Sequence, residues 1–83
     1  MNKVQPEDLR KLYGKNVKAR RKDLGITQTV LAERLDVTPA YICQIEGGTS
    51  WPYAGTFAKM AEALGTSPSA LLSSDEIFAP ISP

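Results

Sequence analysis

The chain has 83 residues, enough for one small domain and too few for a second core of useful size. Hydrophobic residues make up 42%, which supports a compact core, yet no run of about 18 apolar residues exists to span a membrane. Formal net charge is +1, histidine is absent and cysteine occurs once, so zinc ligation, an internal disulfide and histidine-based catalysis are not expected. The start of the chain has no apolar signal region, and the single cysteine suits a reducing compartment, so a cytoplasmic protein is expected, with no cofactor, no metal and no enzymatic activity.

Pro6 to Leu24 reads as a first helix, because Leu9, Leu12, Tyr13, Val17 and Leu24 recur at helical spacings. Pro6 fits the first turn, Glu7 and Asp8 fit the positive end of the dipole, and Gly25 ends the segment. Residues 1–22 carry +6 and the remainder −5, so the first helix is strongly basic. Such a helix has two readings, a solvated surface or a face turned to phosphates.

The stretch Thr27 to Gly48 predicts two short helices joined by a tight turn. Val30, Leu31, Ala32 and Leu35 face one way on the first, and Ile42 and Ile45 share a face on the second. Thr27 caps the first and Thr38 the second, with Pro39 at the first helical position and Gly47-Gly48 as the stop. Asp36 and Val37 are too short a connection for antiparallel packing and fit a steep crossing, as in a helix-turn-helix. The second helix then offers Pro39, Ala40, Cys43 and Gln44 outward, a face that can enter a DNA major groove. A fourth helix is expected from about Tyr53 to Leu64, on Phe57, Met60, Ala61 and Leu64, and a short fifth opens at Ser67-Pro68 and carries Leu71 and Leu72. The division is therefore a domain over residues 1–72 and a tail over 73–83, disordered or docked through Ile77, Phe78 and Ile81.

The segment GITQTVLAERLDVTPAYICQIEGG resembles the lambda-repressor-like, Cro-type (xenobiotic-response-element-type) helix-turn-helix family. The resemblance rests on Gly25, Thr27-Gln28, Leu31-Ala32, Leu35, Thr38, Ile42, Ile45-Glu46 and Gly48, and runs over roughly residues 7 to 72. It implies an all-α, five-helix fold and DNA binding. It also implies that Gln28 touches the DNA backbone, and that Arg21, four before Gly25, pairs with Glu46. That pairing agrees with Glu46's place at a helix C-terminus, where a negative charge needs a cation. Two departures stand out. Pro39 and Ala40 occupy positions where the family often places polar base readers, and Thr49-Ser50-Trp51-Pro52 lacks the Lys or Arg common there.

Gln44 is the expected base reader, since glutamine bonds adenine N6 and N7 together, and Ala40 suits a thymine methyl, with Pro39 beside it. Backbone contacts are expected from Gln28, Thr38, Lys18 and the helix start near Tyr53. Tyr41 is open to phosphate contact or packing, and Trp51 to a core or a dimer position. The expected function is sequence-specific binding of double-stranded DNA as a homodimer, regulating transcription, most simply by repression. Trp51, Leu71, Leu72, Ile77 and Phe78 are the interface candidates. Two alternatives remain: an antitoxin that also holds a protein partner such as a toxin, and a protein-interaction module that has lost DNA binding.

Overall fold

The computed structural model describes residues 5–73, and among them five helices follow in chain order with no strand: α1 (Pro6–Asp23), α2 (Gln28–Leu35), α3 (Pro39–Glu46), α4 (Ala54–Ala63) and α5 (Pro68–Leu71). This is the expected all-α architecture, with boundaries within one residue of the sequence reading. Apart from Ser73, the tail and its candidate docking residues Ile77, Phe78 and Ile81 lie outside the described residues.

One core joins all five helices. It is built from Tyr13 and Val17 of α1, Leu31, Ala32 and Leu35 of α2, Ile42 and Ile45 of α3, Met60 and Ala61 of α4 with Leu64 just after it, and Leu71 of α5. Leu71 is 3% exposed, so it belongs to this core and is not an interface residue. Leu9 and Leu24 are also corrected, being 39% and 41% exposed. The buried stripe of α1 is Tyr13, Gly14, Val17 and Arg21. With 18 residues, α1 overruns the eight-residue α3 it packs on, and its end leucines reach past the core.

Gly14 is what lets α1 and α3 meet. A Cβ there would fall on the carbonyl oxygen of Ile45 and lie 2.8 Å from that of Glu46. The α2–α3 turn is equally tight. Asp36 adopts a left-handed conformation (φ 56°), which aspartate tolerates better than most residues, and the Val37 amide donates back to Ala32 O at 3.0 Å. Val37 then packs on the core, which sets the angle at which α3 leaves α2.

The polar side chains of α1 close the ends of the other helices. Arg10 Nε donates to Gly48 O after α3 (3.3 Å), Asn16 Nδ2 to Leu71 O and Ser73 O at the end of α5 (2.8 and 2.9 Å), and Arg20 Nε to Leu64 O after α4 (2.8 Å). Helix C-termini leave unpaired carbonyls and partial negative charge, so amide and guanidinium donors suit them. The arginines of α1 are thus engaged within the domain, while its lysines, Lys11, Lys15, Lys18 and Lys22, are exposed.

Candidate nucleic-acid interface

The third helix is fixed on one side and open on the other. Ile42 and Ile45 are fully buried, while Pro39, Ala40, Cys43 and Gln44 are exposed. Its start is capped as expected, with Tyr41 N donating to Thr38 Oγ1 at 3.1 Å, and α2 likewise, with Val30 N donating to Thr27 Oγ1 at 3.1 Å.

Beneath α3 lies a buried polar network. Arg21 donates to Glu46 through Nε (2.6 Å to Oε2) and a terminal nitrogen (3.0 Å to Oε1), and its other terminal nitrogen donates to Ile26 O at 2.9 Å. The two side chains are 10% and 3% exposed, so the pair is shielded from solvent. The hydrogen bond to Glu46 raises the Arg21 pKa, against the opposing effect of burial, and the guanidinium stays charged. Gln28 joins from α2, its Nε2 donating to Glu46 Oε1 at 3.0 Å. Three helices thus converge on one carboxylate, and the Gln28 side chain, expected on DNA, is turned inward to it.

The loop after α3 is organised by hydroxyls. The Thr49 amide and Oγ1 both donate to Gln44 O (3.0 and 3.1 Å), and Ser50 Oγ donates to Gln44 Oε1 (3.5 Å). The Tyr41 hydroxyl accepts from the Tyr53 amide at 2.8 Å and donates to Trp51 O at 3.4 Å, while its ring stacks on Tyr53 at 5.7 Å. Between the two roles left open for Tyr41, packing and loop anchoring are what the geometry displays. Tyr53 itself is 77% exposed, and its side chain makes no capping bond to the α4 N-terminus that it precedes, so the first amides of α4 have no side-chain cap. Trp51 is neither core nor free: it is 38% exposed, with its ring 5.5 Å from that of Tyr13. Lys18 is exposed on α1, with no hydrogen bond or ion pair among the described residues.

Sequence reasoning missed Gly14, Ser50 and the capping roles of Arg10, Asn16 and Arg20. An isolated glycine inside a helical pattern was a usable signal for close packing. The hydroxyls of Thr49 and Ser50 had none, because their partners are set by where the loop returns.

A helix-turn-helix family model (HTH_3, the Cro/C1 type) matches residues 17–71. The chain belongs to this family. Over 60 residues this helix-turn-helix protein is 35% identical to an uncharacterised HTH-type transcriptional regulator, y4dJ, of Sinorhizobium fredii, covering 72% of this chain and 78% of that one. The clp gene regulator ClgR of Corynebacterium glutamicum superposes with a TM-score of 0.73 at 33% identity, over 77% of this chain and 68% of that one. A hypothetical transcription factor, NHTF, from Neisseria superposes with a TM-score of 0.79 over 98% and 93% of the two chains, and at 23% identity that likeness speaks for the fold. The family is one of DNA-binding transcriptional regulators, and among the described residues no helix is long and apolar enough to cross a membrane.

Proposed function

We propose that this protein binds double-stranded DNA sequence-specifically as a homodimer, with α3 in the major groove, and represses transcription by occupying an operator. The observation that carries the reading is the two-sidedness of α3: Ile42, Ile45 and Glu46 are buried, and Pro39, Ala40, Cys43 and Gln44 are presented to solvent. A helix fixed so firmly from beneath can read base edges without first being ordered.

In this reading Gln44 reads a base, Ala40 meets a thymine methyl and Pro39 lies beside it in the groove. Phosphates are gripped by Thr38, by Lys18, and by the uncapped amides at the start of α4 next to Tyr53. Gln28 contributes through its main-chain amide at the start of α2, since its side-chain nitrogen is engaged by Glu46. Tyr41 acts indirectly by holding Tyr53. An α3 of eight residues is about 12 Å long and spans few base pairs, so a two-fold dimer on half-sites about 34 Å apart is the economical assembly.

Binding to single-base duplex variants at several salt concentrations tests the assignment. Gln44→Ala is expected to cost about 1–3 kcal/mol on the preferred site and to relax preference at one base pair per half-site. Lys18→Ala is expected to weaken all sequences alike and lower the salt slope by about one. Equal loss from Gln44→Ala on every variant would remove it as a base reader. Sedimentation with the selected duplex checks the dimer, and a strict one-to-one complex at saturating protein counts against it. The protein-interaction alternative gains ground if no duplex is enriched from a random library.

A further inference from the structure

We infer that Lys11 of α1 is a phosphate-binding residue, which grips the DNA backbone where it passes the C-terminal end of α3. The inference rests on the DNA-binding reading above and adds the ionic contact that α3 and its following loop do not supply themselves.

The argument starts from a gap in the charge pattern. From Gly47 to Ala58 the chain carries no charged residue, and α3 has no basic residue in its last turn. The end of α3 is the negative end of its dipole, which disfavours a phosphate. Glu46, the last residue of α3, is already paired with Arg21 in the interior. A cation for this region therefore has to come from another element, and α1 brings it. Gly48 is buried, and a Cβ on it would come within 2.8 Å of Lys11 Cγ and 3.0 Å of Lys11 Cα. The neighbouring Arg10 spends its Nε on Gly48 O at 3.3 Å. The start of the Lys11 side chain is thus held against the exit of α3. Lys11 as a whole is exposed, with no hydrogen bond or ion pair among the described residues. Its apolar stem covers the glycine and its ammonium is left to the solvent side.

The placement along α1 points the same way. Lys11 lies one turn before Gly14 and Lys18 one turn after it, and Gly14 is where α1 meets the last carbonyls of α3. Both lysines therefore flank the α1–α3 contact, whereas Asn16 and Arg20 are committed to the ends of α5 and α4. Two turns of helix set Lys11 and Lys18 about 10 Å apart along the axis. A DNA strand presents a phosphate about every 3.4 Å of its own axis, so the two cations meet different phosphates.

Duplex binding by the full chain between about 50 and 200 mM salt tests this. Lys11→Met keeps the stem over Gly48 and removes the charge. It is expected to unfold in urea like the wild type, to keep the same base preference, and to lower the salt slope by about one, so that the wild type's advantage shrinks about threefold over that salt range. Lys11→Arg is expected to keep the wild-type slope, and so is Lys59→Met, which removes an exposed charge from α4. On duplexes carrying one neutral methylphosphonate at each backbone position in turn, the wild type is expected to lose affinity at a position where Lys11→Met loses none. A merely structural role for Lys11 would lower the urea midpoint of Lys11→Met and leave its salt slope unchanged. The inference is overturned by a wild-type slope in Lys11→Met, by an equal fall in Lys59→Met, or by the absence of such a backbone position. If the wild type enriches a duplex that responds to Gln44→Ala but not to Lys11→Met, this inference alone fails. If the wild type enriches no duplex, the DNA-binding reading fails with it.

Discussion

On its inward side α3 is held by two buried isoleucines, a shielded Arg21–Glu46 pair bonded also by Gln28, and the close approach of Gly14 to its last carbonyls. On its outward side the polar contacts are made by Thr38, Thr49, Ser50 and Tyr41 and are solvent-exposed. Exposed bonds of this kind contribute little to stability, because water replaces them readily. Buried ones cannot be replaced, so the loss of one partner strands the other. Stability and recognition are thus written on opposite sides of one eight-residue helix. Substitutions should separate accordingly.

The largest effect is expected at the carboxylate. Glu46→Ala strands the buried Arg21 guanidinium and leaves Gln28 Nε2 unpaired, and should cost about 3–5 kcal/mol in urea unfolding. A double-mutant cycle with Arg21→Ala measures the coupling, and additive losses would show that the inward face is not held by the pair. Gly14→Ala comes next, at about 3 kcal/mol, since its methyl meets main-chain oxygens that a side-chain rotation cannot clear. A neutral Gly14→Ala would mean that α1 and α3 can separate without loss.

Tyr13 gives a pH signature of the same inward region. Burial, with a smaller contribution from Tyr41, pushes its hydroxyl up from 10.0 to about 12. Above pH 10 the unfolded chain releases this proton while the folded chain keeps it to about 12. The stability is therefore intact below pH 10 and falls as pH rises between those values, by about 2–3 kcal/mol. The hydroxyl has no hydrogen-bond partner among the described residues, so Tyr13→Phe should abolish the alkaline slope and cost nothing at pH 7. Persistence of the slope in Tyr13→Phe would assign it to another group.

The smallest contrast lies between two cations of α1. Arg20→Ala removes the donor to Leu64 O and should lower stability by about 1 kcal/mol, whereas Lys18→Ala should leave unfolding unchanged and alter only DNA binding. Thermal unfolding of the two variants, set beside their salt slopes on DNA, shows whether the basic helix divides in this way. Equal effects of both on stability would erase the distinction.

How far the sequence carried the fold follows from locality. Thr27, Thr38 and Pro39 announce helix starts because a cap acts within three residues of itself, and Gly25 and Gly48 announce ends through their left-handed backbone, at φ +70° and +78°. The apolar spacing of α2 and α3 selected the core face for the same reason, except at Val30, which is half-buried at the edge and outside the core. It failed at Leu9 and Leu24, because a periodic pattern cannot say how far the partner helix extends, and it passed over Arg21, the charged residue that completes the stripe.

The five helices, the tight α2–α3 turn and the outward-facing residues of α3 were legible in the residue order, since each depends on neighbours a few positions away. The Arg21–Glu46 pair was legible through resemblance and through the unfavourable place of a glutamate at a helix C-terminus. The partners of the long polar side chains were set by the packing of the helices. Arg10, Asn16 and Arg20 cap carbonyls 38 to 57 residues away, Gln28 turns to Glu46 rather than outward, and the Ser50 hydroxyl reaches the Gln44 amide. A flexible donor takes whichever acceptor the fold brings within about 3 Å, and that acceptor exists only once the chain has closed on itself.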